Sequence, residues 1–132
     1  MIQPVTRDRN NETEIIMLNL SEVTHMVIED GAVAFYTEKE KFYPLVPSLS
    51  VYAKHLKDMG FLRLDRVNLV NMTRVKGFDE TRGLVFFDDP PHHVRKSATV
   101  AFMNMRKLKT IILDWIRKNK SQTKDPADIR TS

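Results

Sequence analysis

The chain has no cysteine and only four glycines among its 132 residues. Without thiols there is no disulfide framework, no thiolate metal site and no cysteine nucleophile, and a reducing compartment such as the cytoplasm fits without strain. The glycines fall into neither a phosphate-cradling loop nor a Gly-x-Ser-x-Gly elbow, which removes two common enzyme signatures. No stretch approaches the roughly 18 apolar residues of a membrane span. The opening MIQPVTRDRNNETE carries charge where a secretory leader needs an apolar run. The length suits one ordinary domain able to bury a core without staples.

Metal and acid–base chemistry are also poorly provided for. His92 and His93 are adjacent, so on a strand their rings would point to opposite faces, while His25 and His55 stand alone. Asp88-Asp89 precedes Pro90-Pro91 and reads as a solvated corner rather than a catalytic pair. The expectation is a protein that is not an enzyme, with no cofactor and no metal.

What the chain does have is a lopsided charge. Residues 1–60 carry 6 Lys and Arg against 9 Asp and Glu, whereas residues 61–132 carry 15 against 8, within a net charge of +4. Excess positive charge confined to one half points to a polyanionic partner, although a solvated, solubilising surface accounts for the same statistics.

Hydrophobic periodicity predicts a mostly β domain. Residues 1–13 read as a flexible segment, 14–118 as a single domain, and 119–132 as a disordered tail. Strands are expected over 14–20, 23–29, 32–36 and 41–46, with Asp30-Gly31 as a tight turn because Gly adopts positive φ at little cost. One short helix is expected over about 48–59. Ser48 caps it, Leu49, Tyr52, Leu56 and Met59 form its apolar side, and Gly60 stops it. Strands resume over 61–71, 74–78, 84–87 and 93–97. A C-terminal helix over about 99–118 carries Ala101, Met105, Leu108, Ile112 and Trp115 in a heptad-like stripe. That stripe can dock on its own domain or pair with a second copy.

The run Phe61-Leu62-Arg63-Leu64-Asp65-Arg66-Val67-Asn68-Leu69-Val70-Asn71 breaks the pattern. On a regular strand Arg66 would share a face with Leu62, Leu64 and Asn68, and a buried guanidinium without a partner is costly. Either the strand bends so that Arg66 emerges at an edge, or Arg66 pairs with Asp65 or another carboxylate. Asn71 after Val70 is read as satisfying backbone groups at a strand end.

This run resembles the F-x-R-x-H-R-s-y-l-V-N signature of the LytTR (LytR/AlgR-type) DNA-binding domain family. Ser48-Leu49 as a helix start, Val27-Ile28-Glu29-Asp30-Gly31 as an acidic strand end before a turn, and Val94-Arg95-Lys96 before the last helix agree with it. The resemblance covers roughly Glu12 to Trp115. It implies an elongated antiparallel β fold whose loops enter the major grooves of duplex DNA.

By the same resemblance Arg66 and Arg95 are base contacts, and Lys96, Lys39 and Lys41 are phosphate contacts. Asn68, on the Arg66 side of the strand, belongs to the same DNA-binding set. Arginine suits base reading because its paired donors match guanine O6 and N7. The chain departs from the signature at Asp65 (usually His), Val67 (commonly Ser) and Asn68 (commonly aromatic). Ala32 and Val33 bring no base-reading chemistry to the loop near Gly31, so that contact is either lost or moved to Glu38–Lys41.

The function expected is therefore a bacterial, cytoplasmic, free-standing transcription regulator that binds promoter DNA at direct repeats, with two subunits per site. Residues 1–13 leave no room for a receiver domain. A homodimer, on DNA or through the C-terminal helix, fits the same reading. The alternative is a β-rich adaptor that uses the helix to bind another protein, with weak or no DNA binding. Single-stranded nucleic-acid binding would need exposed aromatic platforms, but Phe42, Tyr43, Phe86 and Phe87 are better explained as strand core.

Overall fold

The computed structural model describes residues 1–88 and 97–122. Its elements begin with β1 (Ile2–Thr6), β2 (Ile16–Asn19), β3 (Val23–Glu29), β4 (Ala32–Thr37) and β5 (Lys41–Pro44). The helix α1 (Leu49–His55), β6 (Phe61–Leu62) and β7 (Asn68–Asn71) follow. The described chain closes with β8 (Gly77–Asp79), β9 (Leu84–Phe86), β10 (Ser97–Thr99) and α2 (Met105–Gln122). Seven strands form one sheet in the order β2-β1-β5-β4-β3-β7-β6, and three form a second in the order β10-β9-β8. All strand pairs among the described residues are antiparallel, so the mostly β architecture with two helices is as the sequence predicts.

Alternation in β7 sorts neighbouring side chains between two cores, Leu69 into one and Val70 into the other. Met26, Phe35, Phe42 and Leu69 are buried on one side of the large sheet, together with Leu49, Tyr52 and Leu56 of the α1 segment. The Ser48 hydroxyl caps α1 by accepting the Val51 N–H at 3.4 Å, and Tyr52 meets Phe35 edge-on with ring centroids 5.1 Å apart. Gly60 then turns the chain at φ +90°. A Cβ there would stand 2.9 Å from Thr73 Cγ2 and 3.3 Å from the Trp115 ring, so the helix stop doubles as a packing site for α2.

The second core joins the large sheet, the small sheet and α2. Leu64, Val70, Met72, Val75, Val85, Phe87, Leu108 and Ile112 are buried in it, and each large aliphatic side chain there is worth roughly 1.5–3 kcal/mol of burial. Met105, Trp115 and Ile116 pack against its rim. Asn119 pins the far end of α2, its Nδ2 donating to the carbonyls of Met72 at 2.8 Å and Val75 at 2.7 Å. The apolar stripe of α2 is thus docked on its own domain.

Several boundaries differ from the sequence reading, each for a local reason. Ile2–Thr6 is not a flexible segment but β1, paired through residues 2–5 with β2 and through Val5 and Thr6 with β5. Pro4 disguises it, since proline within a run argues against a strand. The predicted strand 61–71 is two short strands separated by a turn at residues 63–67. Thr99 does not start the last helix. It is held in β10 opposite Leu84, and α2 begins at Met105 and continues past 118 to Gln122. The strand expected over 93–97 falls mainly outside the described residues, with β10 beginning at Ser97.

Candidate nucleic-acid interface

The turn between β6 and β7 is built by hydrogen bonds rather than by glycine. Asn68 Oδ1 accepts the backbone N–H groups of Leu64 at 3.3 Å and Asp65 at 3.0 Å, and Asn68 N donates to Asp65 O at 3.2 Å. Asn68 Nδ2 donates to Thr99 O at 2.8 Å and lies 3.3 Å from Thr99 Oγ1, so the turn is fastened to β10. Leu64 roots it in the second core, and Leu64 O accepts the Ala101 N–H at 2.9 Å. From the other side, Val67 O accepts the Ile28 N–H at 2.8 Å and ties the turn to the end of β3.

Arg66 stands at the apex of this frame, exposed to solvent. Asp65 does not pair with its guanidinium. The Asp65 carboxylate instead accepts the Arg66 backbone N–H at 2.6 Å on Oδ1 and the Thr99 hydroxyl at 2.7 Å on Oδ2. Among the described residues no carboxylate engages the Arg66 side chain, whereas Arg7, Lys41, Arg74, Arg82, Lys109 and Arg117 each have an acidic partner. A rigid turn therefore presents one planar cationic fork with its donors free, a geometry suited to a base edge or a phosphate.

The neighbouring element at this end is the β3–β4 hairpin. Its two central residues, Asp30 and Gly31, have φ of +50° and +78°, the paired positive values of a tight hairpin turn. Val27 pairs with Asn68 and Glu29 with Ala32, so the hairpin tip and the Arg66 turn leave the sheet at the same end.

The other predicted site residues are distributed differently. Asn68, predicted as a DNA contact, is 1 % exposed with both side-chain polar atoms engaged inside the protein, so its place is beneath the turn, as a support. Lys39 is exposed in the β4–β5 turn, at the opposite end of β4 from Gly31, roughly 20 Å along six residues of strand. Lys41 is half-buried and bonded to Glu29 at 2.9 Å, which with Tyr43 pushes the ammonium pKa up and keeps it charged. Burial works to raise the Glu29 pKa, but hydrogen bonds from Tyr36 and Lys41 hold it below the usual range. Lys41 is thus committed to an internal pair across Tyr36. Arg95 and Lys96 lie outside the described residues.

Two further cations stand at or near this end, Arg63, which is the Arg of the signature's F-x-R start, and Arg9, which carries no signal in the sequence. Arg63 is exposed and lies within 3.4 Å of Ser50 Oγ, and Arg9 lies over the Gly31 turn, where an added Cβ would meet its Nη2 at 3.4 Å. Periodicity finds buried faces, not which exposed arginines a loop brings to one place.

The histidines serve packing where they are described. His25 is 4 % exposed and stacked between Tyr36 and Phe87, with ring centroids 4.8 and 5.1 Å away. Burial pushes its pKa down to about 4, against the opposing pull of Glu29. His55 is exposed in the last turn of α1.

Residues 13–113 match the family model of the LytTr DNA-binding domain. The chain belongs to that family. A solved LytTr DNA-binding domain from Bacillus cereus superposes with a TM-score of 0.64 at 16% sequence identity, covering 85% of this chain and 95% of that one. No curated protein matches the sequence. This LytTr domain is thus a DNA-binding domain whose strand-and-turn scaffold holds Arg66 outward, and no described helix is long and apolar enough to cross a membrane.

Proposed function

We propose that this LytTr domain is a sequence-specific regulator of transcription that reads promoter DNA with the Arg66 turn. The observation that carries the reading is the free guanidinium of Arg66 on a turn whose own polar groups are satisfied internally by Asp65, Asn68 and Thr99. Preorganisation matters because a turn already held in place loses little freedom on binding, leaving only the Arg66 side chain to be ordered. Arginine donating in pairs to guanine O6 and N7 discriminates by about 1–3 kcal/mol per contact. Arg95 and Lys96, just ahead of β10 in sequence, complete the set by resemblance to the family, and Lys39 touches phosphate only if the duplex reaches the far end of β4.

Two subunits on direct repeats supply the affinity that one small surface lacks, and the compartment is the bacterial cytoplasm. The docking of Leu108 and Ile112 of α2 in the second core favours this reading over an adaptor, because the stripe such a partner would grip is already covered. The test compares a duplex selected by the protein with random duplexes in a gel shift across salt. Arg66→Ala is expected to weaken the selected site about tenfold or more while changing random DNA little. Absence of binding by the unaltered protein at low salt overturns the reading. Equal losses on both DNAs reduce Arg66 to a phosphate contact.

A further inference from the structure

The N-terminal segment ahead of the family match is built to hold Arg9 at the DNA-facing end. Asp8 organises the loop that follows β1: its Oδ1 accepts the Thr13 hydroxyl at 2.6 Å and the N–H groups of Thr13 at 2.9 Å and Glu12 at 3.0 Å. Its Oδ2 accepts the Asn10 N–H at 3.2 Å, and these bonds, the Thr13 hydroxyl foremost, hold the carboxyl pKa down to about 2. Asn11 takes the left-handed conformation at φ +56° and returns its amide to Thr6 Oγ1 at 2.9 Å, closing the loop on β1. The loop is therefore fixed at both ends.

Arg9 projects from this loop to the β3–β4 turn, its Nη2 3.4 Å from where a Gly31 Cβ would stand. It is exposed and has no acidic partner among the described residues, although Asp8, Glu29 and Asp30 are close in sequence or at the same hairpin. Arg7, two residues earlier, behaves differently. It is bonded to Glu40 at 2.7 Å and lies over the Phe42 ring, at the other end of β4.

The β3–β4 turn itself offers Asp30, Gly31, Ala32 and Val33, and its only charge would repel phosphate. A cation supplied from outside the turn, one strand away from the Arg66 turn, changes the sign of that corner. Resting on the proposed reading of duplex DNA by Arg66, we infer that Arg9 is a DNA-backbone contact that the N-terminal segment lends to the β3–β4 turn. It lies before residue 13, where the family match begins, so it is a feature of this chain rather than of the shared domain. β1 acts as the anchor that makes the contact possible.

The experiment measures binding of the full chain to a selected duplex and to random duplexes as salt is varied, for the unaltered protein, Arg9→Ala, Arg9→Lys, Arg7→Ala and Arg66→Ala. Each phosphate neutralised contributes about 0.9 to the slope of log affinity against log salt. Arg9→Ala is expected to lower that slope by about 0.9 and to weaken both kinds of duplex alike, Arg9→Lys to restore most of the slope, and Arg7→Ala to leave it unchanged. An unchanged slope in Arg9→Ala, with Arg66→Ala still impaired, overturns the Arg9 contact and leaves the reading of DNA by Arg66 standing. A loss in Arg9→Ala confined to the selected duplex, or an equal loss in Arg7→Ala, also overturns it. No binding by any form, the unaltered protein included, removes the underlying DNA reading and Arg9 with it.

Discussion

Thr99 donates its hydroxyl proton to Asp65 Oδ2 at 2.7 Å, a bond that joins β10 to the Arg66 turn across 34 positions of sequence. The same carboxylate receives the Arg66 backbone N–H, so the residue at the signature histidine's place orients its neighbour through the main chain. The carboxylate beside Arg66 is thereby turned inward, its two oxygens already holding donors. Asn68 completes the triangle by binding Thr99 O with its amide nitrogen and two turn N–H groups with its amide oxygen.

This triangle predicts a separation between holding the turn and touching DNA. Asn68→Ala removes the acceptor for two backbone donors and is expected to cost about 2–3 kcal/mol in urea unfolding. Thr99→Val, which keeps the shape but not the hydroxyl, is expected to cost about 1 kcal/mol and to weaken a selected duplex several-fold while random DNA binds as before. A Thr99→Val protein with unchanged stability and unchanged discrimination would show that the Asp65 bond positions nothing.

The docking of α2 makes its own prediction. Asn119 supplies donors to Met72 O and Val75 O at a helix end where no apolar residue does the same work. Asn119→Ala is expected to lower stability by about 2 kcal/mol, followed through the fluorescence of Trp115, the single tryptophan. A chain ending at Asn104 should lose cooperative unfolding altogether, because Leu108 and Ile112 fill the second core. A cooperative, monomeric product of that truncation would instead make α2 dispensable to the fold.

His25 gives the domain an acid sensitivity whose sign follows from burial. Its pKa is pushed from 6.5 down to about 4 in the folded state, so between those values the unfolded chain binds the extra proton. The stabilising contribution of the neutral, stacked ring is complete above the unfolded pKa and is lost as pH falls through this window to the folded one. The amount is on the order of 3 kcal/mol. His25→Phe keeps an aromatic ring between Tyr36 and Phe87 without the titration. Urea midpoints at about pH 7.5, above the window, and about pH 4.5, most of the way through it, should differ less for the variant than for the unaltered protein. An equal drop in both would assign the acid sensitivity to carboxylates such as Glu29.

The elements easiest to read were those with a local cause. Asp30-Gly31 announces its turn by conformational preference, Ser48 and Gly60 bracket α1, and the 3.6-residue stripe of Leu108 and Ile112 marks the buried face of α2. The signature from Phe61 to Asn71 likewise singles out Arg66, and the conflict between a charged side chain and an apolar row points to a bend.

Other features depended on partners far away in sequence. Pro4 hides β1, which exists because β2 and β5 lie on either side of it. Asn68 reads as a polar companion of Arg66, yet Thr99, 31 positions later, draws it inward. Lys39 and Lys41 stand two positions apart along the chain and share a sign with Arg66, but strand direction sends Lys39 to the other end and Glu29 captures Lys41. Local signals along the chain suffice for the turns, the helices, their apolar faces and the family signature. Which cations stand free at one end is settled by folding, because that depends on strand order and on which carboxylates the fold brings within reach.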